Sequence, residues 1–355
     1  MLKILKFVAS VISSIPYSLI TLKTPLLIEI VIYYFILFCI YFFDRIKKIF
    51  FYVNAKFKII LLKTKTYRII SIVLILVIFS GNLCVYFIHT NELKIYFVDV
   101  GQGDCTLICT PNNRVILVDG GGSEFSSFDV GESTLFPYLL DRRITKIDYM
   151  LISHFDTDHV GGLLYILENM KVYNVIISKQ GELSENYEEF KKLVIEKNIN
   201  VIIVKQGDRL EIENDIYIDI LFPESTLITE NILNNNSIVA KLYYNNFSIL
   251  FTGDIEEVAE QELVSKYQDL SVLNSTILKV AHHGSKTSSI QEILELISPK
   301  IALIGVSKTN TYGHPNSEVL ERLEKLGAKI YRTDKCGEVI IKVNKKGKIK
   351  IKTKL

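Results

Sequence analysis

The chain has 355 residues, 49% of them apolar, and a formal net charge of +2 that hides a strong asymmetry. Residues 1–90 carry 11 Lys/Arg against only Glu29 and Asp44, which leaves 30 basic and 37 acidic residues for the remainder. Seven of those 30 crowd into 342–354, so 91–341 stands at −14, which excludes the broad basic face of a general nucleic-acid binder.

In chain order, the apolar excess comes first. Residues 7–22 are apolar but broken by Ser13, Ser14 and Pro16, and read as an interfacial helix, a further span or a cleaved leader. Residues 26–43 and 69–88 are each long and apolar enough to be expected as transmembrane helices. Between them lie eight Lys/Arg and one acid, so the positive-inside rule predicts a cytoplasmic loop. The chain after about residue 89 is then expected outside the cytoplasm, with the protein held in the cell membrane. A helical membrane region over 1–90 and a globular domain over 91–355 follow from this division.

The globular part reads as short strands: KIYFVDV, CTLIC, RVILVDG, YMLIS, NVIIS, NVIIV, IYIDILF, IVAKLYY, FSILFTG, STILKVA, KIALIGV and EVIIKVN. Helical periodicity is expected in 163–170, 185–197, 255–267, 289–297 and 317–326. The pattern alone gives α/β or α+β, and an αββα sandwich accommodates it. Cys105 and Cys109 sit in one strand, roughly 13 Å apart, too far for a disulfide. They are read as buried thiols, with a zinc-ligand pair as the alternative. The end of the chain, VIIKVN-KKG-KIKIKTKL, alternates as a lysine-bearing edge hairpin.

Five of the six histidines fall in short segments at strand ends. In Ser153-His154-Phe155-Asp156-Thr157-Asp158-His159, four side chains able to bind metal occur within six residues, followed by Gly161-Gly162. Such a run needs a tight loop that turns imidazoles and carboxylates onto one point. Further candidates are Asp254 in Thr252-Gly253-Asp254, the pair His282-His283, and His314 between Gly313 and Pro315.

HxDxDH resembles the HxHxDH signature of the metallo-β-lactamase superfamily, with Asp in place of the second His, as in ComEC-type competence proteins. In the same order, Asp99 to Asp104 resembles the opening DVGQGD and Asp119-Gly120-Gly121 the strand-ending motif whose Asp buttresses the metal loop. Thr252-Gly253-Asp254, Ala281 to Ser285 and Tyr312 to Pro315 resemble the later motifs. The resemblance covers residues 94–345 and implies the αββα metallo-β-lactamase fold. Residues 1–90 resemble only the last spans of the ComEC channel, which implies a truncated or split relative, or a free-standing anchored hydrolase.

The resemblance also implies one or two divalent ions, zinc or manganese. One site is expected from Asp158, His159, Asp254 and either His282 or His283, with His282 slightly preferred. A weaker second site is expected from His154, Asp156 and a shared Asp254. No histidine lies between His159 and His282, and Asn235-Asn236-Ser237 occupies that stretch, so the superfamily's middle histidine is missing. A bound divalent ion lowers the pKa of its water to about 7 and neutralises charge on a phosphate under attack. Asp158, or Asp156, is expected to orient the nucleophile and His314 to touch a phosphate or act as general acid. Ser285, Lys286 and Asn236 are expected to contact substrate. The function implied is a membrane-anchored phosphodiesterase or nuclease acting on DNA, with a separate competence channel as possible partner. A metallo-hydrolase of another ester and a non-catalytic competence module are the alternatives.

Overall fold

A computed structural model describes Lys6 and residues 23–41, 92–123, 128–181, 184–268 and 271–354. The chain divides into two compact units, Met1–Thr90 and Asn91–Leu355. In the first unit the described helix is Leu27–Tyr41, opened by a hydrogen bond from the Leu26 amide to the Glu29 carboxylate. No helix among the described residues is long and apolar enough to cross a membrane, and the end of the span expected at 26–43 lies outside the described residues. The span expected at 69–88 and the stretch 7–22 lie outside the described residues.

The second unit is two stacked sheets between two layers of helices. Its strands are β1 Glu92–Phe97, β2 Thr106–Cys109, β3 Val115–Val118, β4 Lys146–Leu151, β5 Lys171–Ser178, β6 Asn200–Val204, β7 Arg209–Glu213, β8 Ile216–Phe222, β9 Val239–Tyr244, β10 Phe247–Phe251, β11 Ile277–Lys279, β12 Ile301–Ile304, β13 Lys329–Arg332, β14 Glu338–Asn344 and β15 Ile349–Lys354. One sheet runs β15-β14-β1-β2-β3-β4-β5-β6 and the other β13-β12-β11-β10-β9-β8-β7.

Alternation explains how β1 packs. Leu93, Ile95 and Phe97 point into the core between the sheets, while Tyr96 joins the cluster on the outer face. Strands with no such alternation, such as VILV of β3 and IALI of β12, are covered on both faces and are therefore apolar throughout. The helices Phe136–Asp141, Thr157–Asn169 and Glu185–Glu196 pack on the first sheet. Glu257–Tyr267, Gln291–Ile297 and Ser317–Lys325 pack on the second. The expected αββα order is thereby met.

Every strand expected from the sequence is present. Cys105 is buried and Cys109 partly so, both free, with burial raising the first thiol's pKa and pushing the second up to about 11. They stay protonated at neutral pH and behave as small apolar groups.

Glu260 is a buried acid outside the histidine region. Its carboxylate accepts from the amides of Ser289 (2.7 Å) and Ile290 (2.9 Å), at the start of the helix Gln291–Ile297. Burial pushes its pKa from 4.5 up to about 7, against the pull of those amides and of Arg322. Between those values the folded state holds more protons than the unfolded one, so stability falls as pH rises through that window. Thermal unfolding between pH 4.5 and 7.5 is expected to show this decline. Glu260→Ala is expected to lower stability throughout, by about 1–3 kcal/mol for the stranded amides, and to flatten the slope. An unchanged slope in the variant refutes the assignment.

Candidate metal centre

Chain segments leaving the carboxyl ends of β3, β4, β10, β11 and β12 converge at one end of the sandwich, where α/β folds commonly place ligands. Asp119, just after β3, is buried and takes the left-handed conformation at φ 54°. Its carboxylate accepts from the Ser153 amide and hydroxyl, each at 2.8 Å, and from His159 Nδ1 at 2.9 Å. This is the buttress expected of it. With Nδ1–H given to Asp119, His159 turns Nε2 toward Asp254 and His283.

The HxDxDH run splits across a helix start. Asp156 occupies the N-cap position, and Asp158 and His159 sit in the first turn of Thr157–Asn169. Helical spacing, not strand alternation, therefore sets their directions. Gly103 (φ 110°) makes the approach possible, because a Cβ there would meet the Asp158 carbonyl oxygen at 2.0 Å.

His282 and His283 are both left-handed, at φ 49° and 53°. Two consecutive non-glycine residues in that region are costly and mark a site where geometry is imposed. The bend sends the two rings different ways. His283 is buried, gives Nδ1–H to the Gly305 carbonyl at 2.8 Å, and aims Nε2 at Asp158 (3.2 Å) and Asp254 (3.3 Å). His282 is part-exposed, 4.0 Å from Asp254 and 3.4 Å from Glu256. The slight preference fell on His282, and it is His283 that joins the buried group.

Asp254 follows β10, its amide donating to Ser237 Oγ at 3.2 Å. Its carboxylate meets His159 Nε2 at 3.1 Å and Lys279 Nζ at 3.1 Å. Lys279, at the end of β11, also donates to the Gly253 carbonyl (2.8 Å) and pairs with Asp104. Burial works against the lysine's charge, but Asp104 and Asp254 outweigh it and raise its pKa. Burial likewise works to lower both imidazoles. It is outweighed at His159 by Asp254 and Asp119, and at His283, raised to about 10, by Asp254 and Asp104.

Ligating atoms of Asp104, His159, Asp254 and His283 all lie within 4.8 Å of one another, and all four residues are buried. Asp104 Oδ2 pairs with Lys279, while Oδ1 lacks a hydrogen-bond partner. A buried carboxylate oxygen without a donor, beside two imidazoles that turn Nε2 onto the same carboxylates, fits a divalent cation that would take the place of the ring protons. The mix of oxygen and nitrogen donors suits manganese as well as zinc. His154 lies beside them, its ring centroid 4.2 Å from that of His159 and its Nε2 3.6 Å from Asp156.

A cavity of about 100 Å³ opens onto the cluster, lined by Gln102, Asp156, Asp158, Asp254, His282, His283, Tyr312 and His314. Burial, with His282 and His283, lowers His314 to about 4, so the ring is neutral at pH 7. None of the three residues expected to touch substrate lines this cavity. Asn236 spends its amide on Ile228 and Ile232, fixing its own loop. Ser285 bonds Thr287 within its turn at 3.0 Å, and Lys286 is exposed outside the lining.

Residues 98–307, more than half of the chain, match the Metallo-beta-lactamase superfamily. The chain belongs to that superfamily. ComE operon protein 3 of Bacillus subtilis (strain 168) is 30% identical over 73% of this chain and 35% of its own length. Recombination protein 2 of Haemophilus influenzae is 29% identical over 68% and 28%, and Competence protein ComA of Neisseria gonorrhoeae 27% over 70% and 32%. The chain thus spans about a third of the length of these relatives. Their names agree with the resemblance to ComEC-type competence proteins.

Within this superfamily frame, the place of the absent middle histidine has a structural use. Ser237 holds the Asp254 backbone, and the Asn235 side chain accepts from the Glu256 amide at 2.9 Å. Two site residues were not anticipated. Asp104 was noted only as part of DVGQGD, and Lys279 lies inside the apolar run STILKVA, where nothing marks it.

Proposed function

We propose that the chain is a metal-dependent phosphodiesterase that cuts DNA outside the cytoplasmic membrane, in the setting of DNA uptake. The observation that carries this is the buried convergence of Asp104, His159, Asp254 and His283 at the floor of an open cavity. One or two bound divalent ions would supply an acidified water and neutralise charge on the phosphoryl oxygens. His159 and His283, each with Nδ1–H already committed, would hold the ion through Nε2, together with Asp254. Asp158, lining the cavity 3.2 Å from His283, would orient the attacking water. Neutral His314 would donate an N–H to a phosphoryl oxygen from the cavity wall, a role that suits its lowered pKa better than general acid. His154 and Asp156 would be the place of a second ion. Anchoring through the N-terminal apolar segments, and a separate channel protein as partner, belong to the same proposal.

The test is a substrate panel with the metal-free and the Mn²⁺- or Zn²⁺-loaded protein: single-stranded DNA, duplex DNA, RNA and a small bis-aryl phosphodiester. Cleavage of DNA, with Mn²⁺ at least as effective as Zn²⁺, is the expected result. His314→Ala is expected to slow it by roughly 10²–10³-fold, the loss of one donor to developing negative charge. Cleavage of the small ester with all nucleic acids untouched assigns another ester as substrate. A folded, loaded protein that cleaves none of them is a non-catalytic module.

A further inference from the structure

A second cavity, of about 480 Å³, adjoins the first and shares Gln102, Asp158 and Tyr312 with it. Its size is that of a small-molecule ligand site. Two aromatic rings stand at it, Phe128 at 52% and Tyr312 at 47% exposure. Exposed large apolar side chains are few in this unit: among residues 92–354 that are described, the others are Tyr173, Ile195 and Ile203. Finding two rings at one cavity beside a metal centre calls for a ligand with a flat face.

The support beneath Tyr312 is rigid. Asn310 donates its amide to the carbonyls of Ser307 (3.1 Å) and His314 (3.0 Å), and accepts from the His314 amide at 3.1 Å. The Tyr312 ring lies parallel to the His314 imidazole, at 7° and 5.8 Å between centroids. Polar groups of Ser307 and Thr309 supply donors and acceptors along the wall, and no Lys or Arg is among the lining residues.

Resting on the phosphodiesterase function proposed above, we infer that this cavity receives the unstacked nucleobase next to the phosphate being cut, gripped between Phe128 and Tyr312. The occupant follows from three features. The cavity is continuous with the metal centre, so a group bound to a phosphate there reaches it. Among the described residues its walls carry two aromatic rings, neutral polar groups and no charge but Asp158, which suits a base and not a second phosphate. A domain with 30 basic and 37 acidic residues over 91–355 draws a polyanion weakly by general attraction, so a stacking contact adds hold at the site itself. A base must leave its helix to enter, which selects single strands over duplex.

The experiment uses the full-length protein in detergent, without divalent metal, and a single-stranded oligonucleotide containing 2-aminopurine, whose emission is quenched on stacking. Quenching is expected in the wild type, retained in Tyr312→Phe and lost in Tyr312→Ala. Binding is expected to weaken in Tyr312→Ala by roughly 5- to 150-fold, the range of one stacked base. Phe128→Leu, which keeps apolar bulk without the aromatic face, is expected to weaken binding in the same sense. With Mn²⁺ present, both losses are expected in KM for single-stranded DNA more than in kcat. Wild-type protein that hydrolyses methyl p-nitrophenyl phosphate but leaves the emission unchanged overturns the base pocket and spares the hydrolase. Quenching with no diester hydrolysed overturns the hydrolase and keeps the pocket. Quenching that persists undiminished in Tyr312→Ala and Phe128→Leu alike also overturns the pocket.

Discussion

Asp254→Ala is expected to strip the metal centre and lower turnover by about 10³-fold or more, with the sandwich still folded. The size follows from how much converges on one carboxylate. Asp254 lies 3.1 Å from His159 Nε2, 3.3 Å from His283 Nε2 and 3.1 Å from Lys279, at zero solvent access for the neighbouring His159. The fold survives because β10 is held by β9 and β11 on either side, independently of that side chain. Elemental analysis and circular dichroism of wild type and variant, alongside turnover, check the expectation. Asp254→Asn keeps the volume and one acceptor, so it separates loss of charge from loss of contact. A variant that retains full metal content and full turnover refutes the role.

The second large effect concerns stability. Lys279→Met removes the buried cation shared by Asp104 and Asp254 while keeping the length of the side chain. Breaking a buried ion pair on one side costs about 3–5 kcal/mol. For a unit of this size the metal-free melting temperature should fall by about 6–20 °C. A divalent cation supplies the missing positive charge, so Mn²⁺ should narrow the gap between variant and wild type. Melting curves with chelator and with Mn²⁺ decide it. An equal drop under both conditions makes Lys279 a packing residue and not a balance for the carboxylates.

Much of this unit is legible from sequence because its strands are covered on both faces. VILV and IALI have no polar side to confuse the pattern. The strands that escaped are polar and short: RLEIE of β7 ends one sheet at one edge, and KIYR of β13 ends it at the other. The helical stretch from Gly131 to Asp141 escaped because it begins on glycine and carries Pro137. At the metal centre, histidines announce themselves by type and spacing. Asp104 and Lys279 do not, since their meeting is made by two sheets that approach only in the folded chain. The choice between His282 and His283 was undecidable by alternation, because neither is extended. Their paired left-handed backbone decides it, and nothing in the letters HH signals that conformation.

The pairing of β1 with β14 bears on how the domain comes into being. Glu92 faces Asn344 and Phe97 faces Val339, so the first strand of the unit is flanked by one made about 250 residues later. Until β14 arrives, β1 leaves a row of backbone groups open beside Leu93, Ile95 and Phe97, the side chains that seal the space between the sheets. During synthesis at about 5–20 residues per second, that interval lasts on the order of ten seconds to a minute. Over that time the emerging chain carries an incomplete apolar edge. The lysines of β15, which then cap β14 on its far side, end the sheet with a charged border only once the last residues are in place.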